Sequence, residues 1–122
     1  MMENKFDLED RFIDFSIRIS EVVESLPKTK YANQIASQLA RCGTSPALNY
    51  GEAQSAESPN DFIHKLKVIL KELRESMICL EIITRKPLIT PVKKLEPIIQ
   101  ETNELISIMF VSVKTANKNI KK

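Results

Sequence analysis

The sequence predicts an all-α protein, an up-down-up-down four-helix bundle with a kinked second helix, filling one domain over residues 1–122. Three observations carry that prediction. Glycine occurs only twice in 122 residues, while Leu, Ile, Glu and Lys dominate, a composition that favours long helices. Apolar residues recur at steps of three and four in four separate stretches, one stripe per helix. Between the stretches stand prolines and capping residues that stop one helix and start the next.

The first helix spans about Asp7 to Leu26. Leu8, Phe12, Phe15, Ile19, Val22 and Leu26 form its stripe, Asp7, Glu9 and Asp10 complement the dipole at its start, and Pro27 ends it. The second begins at Lys30 and keeps helical spacing through Tyr31, Ile35, Leu39, Cys42, Pro46, Asn49 and Ala53. The period survives both glycines, Gly43 and Gly51, and Pro46. The proline removes one backbone hydrogen bond and presses on the carbonyl of Cys42, which predicts a kink, with Gly43 giving the bend room. Asn49 falls on the apolar stripe, where an unpaired amide costs about 1–3 kcal/mol, so a partner on another helix is expected.

A turn over about Ser55–Ser58 leads to the third helix, which has Ser58 as cap, Pro59 at its first position and Asp61 in the capping-box place. Its seam is Phe62, Leu66, Ile69, Leu73, Ser76, Leu80 and Ile83, with Ile63, Leu70 and Met77 beside it, and Arg85, Lys86 and Pro87 close it. The fourth helix is expected to open at Thr90 and Pro91, with Pro97 near its second turn bending the entry. Leu95, Ile98, Thr102, Leu105, Met109 and Ser112 make its seam. Its stretch "LISIMFVSV" is apolar almost all round, which predicts burial against another subunit.

Bulk properties exclude several classes. A 43% hydrophobic and 28% charged chain is neither disordered nor a fibre. The N-terminal "MMENKFDLED" is acidic and lacks the apolar core of a signal peptide. No run approaches the roughly 18 apolar residues of a membrane span. Cys42 and Cys79 lack CxxC spacing and read as free, half-buried thiols of a reducing compartment. A cytoplasmic protein without a membrane partner is expected.

Catalytic patterns are largely missing. The glycines are eight residues apart with no phosphate-cradling Lys, and Ser45 lacks a base or a GxSxG or SxxK setting. A carboxylate di-iron site needs two Glu-x-x-His pairs, and His64 is the sole histidine. No catalytic residue, cofactor or metal is therefore expected, and no enzymatic activity.

Charge placement says more than the net +2. In an up-down bundle the 1–2 and 3–4 connections share an end, which collects Lys28, Lys30, Arg85, Lys86, Lys93 and Lys94. The other end carries Glu3, Asp7, Glu9, Asp10, Glu52, Glu57 and Asp61, offset in part by Lys114, Lys118, Lys121 and Lys122. Cations near helix C-termini complement the dipole, which makes ordinary solvated charge one reading. Lys30, Lys93 and Lys94 sit near helix N-termini, where cations are disfavoured, and this supports the other reading, an anion-binding rim. Glu72 and Glu75 share a face with Lys65, Lys71 and Arg74, the pattern of a solvated or ion-paired surface. Arg41, Asn49, Glu52, Glu72 and Glu75 also suit a polar network between the second and third helices, with a ligand site as the alternative.

The run from Gln38 to Ile83 resembles the four-helix-bundle proteins called 23S rRNA intervening-sequence proteins. The matching residues are Gln38, Leu39 and Arg41, then Thr44-Ser45, then Asn49-Tyr50 with Glu52-Ala53. Ser58, Asp61 and Phe62 follow, then Lys65-Leu66, Lys71-Glu72 and Glu75. Pro46-Ala47-Leu48 departs from the aliphatic and small residues usual there. The resemblance implies a small cytoplasmic bacterial protein that assembles as a ring-shaped homopentamer and is not known for catalysis. A group related to that family, the accessory variability proteins of diversity-generating retroelements, assists a reverse transcriptase and binds nucleic acid through a basic surface. The leading expectation is a non-catalytic homo-oligomer that binds RNA or DNA. The alternative is an adaptor for a protein partner, such as a polymerase or ribosome-associated factor.

Overall fold

In the computed structural model, residues 5–120 are described, with side chains from residue 8 onward; Glu3, the Asp7 side chain, Lys121 and Lys122 lie outside the described residues. Four helices follow one another: α1 (Lys5–Ser25), α2 (Lys30–Ala53), α3 (Pro59–Arg85) and α4 (Glu96–Ile120). Each packs on its successor, and α4 returns to α1. Among the described residues there is no strand.

Local chemistry explains the boundaries. Thr29 caps α2, its hydroxyl accepting from the Ala32 N–H at 3.2 Å. Ser58 caps α3 by accepting from the Asp61 N–H at 3.0 Å, while the Asp61 carboxylate accepts from the Glu57 N–H at 3.3 Å. The first satisfies a donor that a helix start leaves open, and the second ties the residue before the cap to the first turn. The start of α4 departs most from expectation. Pro91 leads a 3-10 turn over Val92–Leu95, and α4 starts at Glu96. Pro97 thus occupies the first turn of α4, where a missing N–H costs nothing.

The core is one cluster. Phe12, Phe15, Leu39, Ile69, Leu73, Leu80, Ile83, Leu105 and Met109 are fully enclosed, and each large apolar side chain contributes about 1.5–3 kcal/mol on burial. Two stripes hold as expected along most of their length and differ by one residue only toward a helix end. In α2, Ala32 and Tyr50 are buried while Tyr31 is exposed and Asn49 half-buried. In α3, Ile63 is buried and Phe62 exposed. At helix ends the buried face is set by which neighbour lies alongside, and 3.6-residue periodicity alone leaves a one-position choice.

α2 continues through Pro46 as one helix. Gly43 serves a closer purpose than bending. A Cβ there would lie 2.7 Å from Cγ2 of Ile19, so α1 and α2 approach across a position only glycine can fill. Gly51 faces open space. Phe12 and Tyr50 pack as a tilted aromatic pair at 5.5 Å on the same α1–α2 contact, and Ser16 donates to Thr44 nearby. No helix is long and apolar enough to cross a membrane among the described residues.

Candidate functional site

Two polar regions emerge, one across the middle of α2 and α3 and one at the loop end. In the first, Arg41 forks between two carboxylates of α3. Its Nη1 donates to Glu72 Oε1 at 3.1 Å and its Nη2 to Glu75 Oε1 at 3.2 Å, with Gln38 Oε1 also accepting at 3.1 Å. Lys71 lies 3.4 Å from Glu72 and 3.6 Å from Glu75. Glu72 is only 5% exposed, and two cations, Arg41 and Lys71, lie within ion-pair distance of it. Burial pushes the Glu75 carboxyl up, but the hydrogen bond from Arg41 and the charges of Lys71 and Arg41 outweigh that and hold it below the usual carboxylate range.

The other expected network members lie apart. Glu52 pairs with Lys65 at 2.6 Å, a separate bridge between the end of α2 and the start of α3. Asn49 corrects the expectation of a partner on another helix. Its Nδ2 donates to the Ser45 carbonyl at 3.1 Å and the Ser45 hydroxyl at 2.8 Å, within α2 itself. Half-buried rather than on the buried stripe, it satisfies its amide locally without reaching across.

A third ion pair escaped sequence reasoning. Arg11 of α1 grips Glu101 of α4 through two hydrogen bonds of 2.7 and 3.1 Å and reaches Glu104 at 3.1 Å. Both partners stand one residue before a buried seam position, Phe12 and Thr102. Arg41 before Cys42 and Glu72 before Leu73 repeat that placement. This flank rule was the available signal.

The loop end is built differently. Lys28, Lys30, Arg85, Lys86, Lys93 and Lys94 are all exposed. A groove of about 780 Å³ brings Tyr31, next to Lys30, beside Arg85 and Lys86. A second cavity places Pro27, next to Lys28, with Lys94 and Pro97. The two connections therefore meet at one end. Arg85 pairs with Glu81 at 2.7 Å. No salt bridge engages Lys28, Lys30, Lys86, Lys93 or Lys94 among the described residues. Glu24 and Glu96 share this end, so the basic excess is real but diluted. Large apolar side chains also stay in solvent: Ile13 and Ile17 on α1, Ile78 on α3, Phe110 and Val111 on α4. Ile108, in contrast, packs partly against the core.

Three comparisons bear on identity. No curated protein matches the chain. A crystal structure of a protein with unknown function from the S23 ribosomal protein family of Bacteroides thetaiotaomicron VPI-5482 superposes with a TM-score of 0.78. It is 31% identical, with 87% of this chain and 94% of that chain covered. The family model described as 23S rRNA-intervening sequence protein matches residues 4–110, nearly the whole four-helix fold and both polar regions. The chain therefore belongs to the 23S rRNA-intervening sequence protein family.

Proposed function

We propose that this protein is a non-catalytic homo-oligomer, a ring of five subunits, that binds RNA or DNA through its loop end. The observation that carries the reading is the set of five exposed lysines at one end without an ion partner among the described residues. A cation already paired has its field cancelled at close range, whereas an unpaired one is free to meet phosphate. Around a five-fold ring these five lysines become about 25, which turns a small monomer charge into a strong local field. Exposed Ile13, Ile17, Ile78, Phe110 and Val111 support assembly, because apolar side chains of this size on several faces favour cover by other subunits. The arrangement of Arg41, Glu72 and Glu75 supports a structural role, since their charges are spent on one another.

Light scattering reads the subunit number, and five supports the ring. A mobility-shift titration with short RNA and DNA tests the interface. Binding should weaken steeply with salt, with a log–log slope of about −0.9 per phosphate contacted on duplex DNA. Charge reversal at Lys28, Lys86, Lys93 and Lys94 should abolish it. Absence of binding at low salt, or binding indifferent to the reversal, overturns the reading.

A second reading rests on the groove beside Tyr31, Met77, Ile78 and Ile82, whose apolar floor suits a protein partner better than a phosphate backbone. Co-purification of a partner that persists after nuclease treatment and is lost on Ile78→Glu favours that adaptor role.

A further inference from the structure

Cys42 and Cys79 are more deeply placed than the sequence suggests, 1% and 8% exposed, and both are free. One stands on α2 and the other on α3, and both are buried where these helices enclose a common cavity. The Ser76 hydroxyl lies 3.3 Å from the Cys42 sulfur while also donating to the Glu72 carbonyl at 3.0 Å. Both sulfurs line a cavity of about 310 Å³ whose rim includes Gln38, Arg41, Glu75 and Ile78. A small polar oxidant needs little more than the ~30 Å³ of a water molecule, so the cavity admits it.

The electrostatics separate the two thiols. The hydrogen bond from Cys79, with further help from Ser76 and the charge of Arg41, outweighs burial and lowers Cys42 to about 7. Cys79 is pushed up by the same hydrogen bond and by burial. One sulfur of the pair is thus the nucleophile and the other keeps its proton.

We propose that Cys42 and Cys79 form a redox couple that reacts with hydroperoxides and closes reversibly into a disulfide stapling α2 to α3. The Cys42 thiolate attacks a peroxide oxygen; the O–O bond breaks, an S–O bond forms, and the departing hydroxide takes a proton to become water. Cys79 sulfur then attacks the Cys42 sulfenic acid, the S–O bond breaks, the S–S bond forms, and the hydroxyl leaves with the Cys79 proton as a second water. Two thiols lose two electrons and two protons, and one hydrogen peroxide becomes two waters. The two cysteines start on the wall of one cavity, and bonding draws the sulfurs to roughly 2.0 Å. Dithiothreitol or another external thiol reverses the step.

The test uses the full chain with hydrogen peroxide at neutral pH. Both thiols should disappear from titration under denaturing conditions and return on reduction, and non-reducing peptide mass mapping should show Cys42 linked to Cys79 within one chain. In Cys79→Ala, dimedone should trap a sulfenic acid at Cys42. In Cys42→Ala, Cys79 should react at least about ten-fold more slowly. Thiols that persist in excess peroxide, chain-to-chain disulfides, or oxidation to sulfinic and sulfonic acids without the intrachain link each overturn the proposal. Equal rates in the two variants overturn the assignment of Cys42 as attacking thiol. The wild-type mapping decides the main point even where a variant folds poorly.

Discussion

The middle of the α2–α3 contact and the loop end both carry several charges, and they use them in opposite ways. Around Arg41, each charge has its counter-charge within 3.6 Å, on a neighbouring helix or one turn away. At the loop end, five lysines project without such partners among the described residues. Paired charges near a buried carboxylate resist sliding of one helix along the other, because a shift in register strands Glu72. Unpaired charges hold nothing together and leave their field for an outside ligand. Stability and binding should therefore separate by region.

Changes in the middle are expected to have the largest effects on folding. Leu73→Ala empties a fully enclosed site and should cost about 2–5 kcal/mol in denaturant unfolding. Gly43→Ala forces a methyl against Ile19 and should cost about 1–3 kcal/mol, whereas Gly51→Ala, facing open space in the same helix, should stabilise by about 0.5–1 kcal/mol. Equal effects at the two glycines would break the assignment of Gly43 to close helix approach.

Within the ion network the expected order is asymmetric. Arg41→Ala leaves the enclosed Glu72 carboxylate with Lys71 alone, while Glu72→Gln retains an acceptor and leaves only a half-exposed guanidinium, which water can solvate. The melting temperature should fall further for Arg41→Ala. The reverse order would show that the contact is not organised around the buried carboxylate. Glu75 adds a pH dependence. Its folded-state pKa is held down, so it contributes stability above its unfolded-state value and loses it as pH falls through the folded one. Glu75→Gln should flatten the acid side of the stability profile, with the difference from wild type greatest near neutral pH.

Much of this architecture was legible in the chain. Phe12, Phe15 and Ile19 in α1 and Leu66 to Ile83 in α3 lie buried where their spacing put them, and Ser58-Pro59 starts α3 as capping chemistry requires. The start of α4 was misread because Thr90-Pro91 and Glu96-Pro97 both look like helix openings. Only packing of Leu95 selects the second. Asn49 was misread because periodicity assigns a face without saying whether a short amide bonds its own backbone. The Arg11–Glu101 pair and the cavity shared by Cys42 and Cys79 depend on the relative register of two helices, which no single-helix pattern contains. The loop end was legible because connection order alone places it.

That end offers the smallest expected effect on stability and the sharpest contrast with the middle. Replacing Lys28, Lys86, Lys93 and Lys94 by Glu breaks no ion pair found among the described residues. The helix dipoles then nearly cancel the remaining consequences. Lys93 and Lys94 precede the N-terminus of α4, where a negative charge is favoured, so their reversal helps folding. Lys86 follows the C-terminus of α3, where a positive charge is favoured, so its reversal hurts by a similar amount. The fourfold variant should melt with the wild type and lose nucleic-acid binding at low salt. The single variant Lys94→Glu should melt slightly above the wild type. A variant that loses binding and stability together would mean that the loop end belongs to the folding core after all, and that these lysines meet partners within the assembly rather than beyond it.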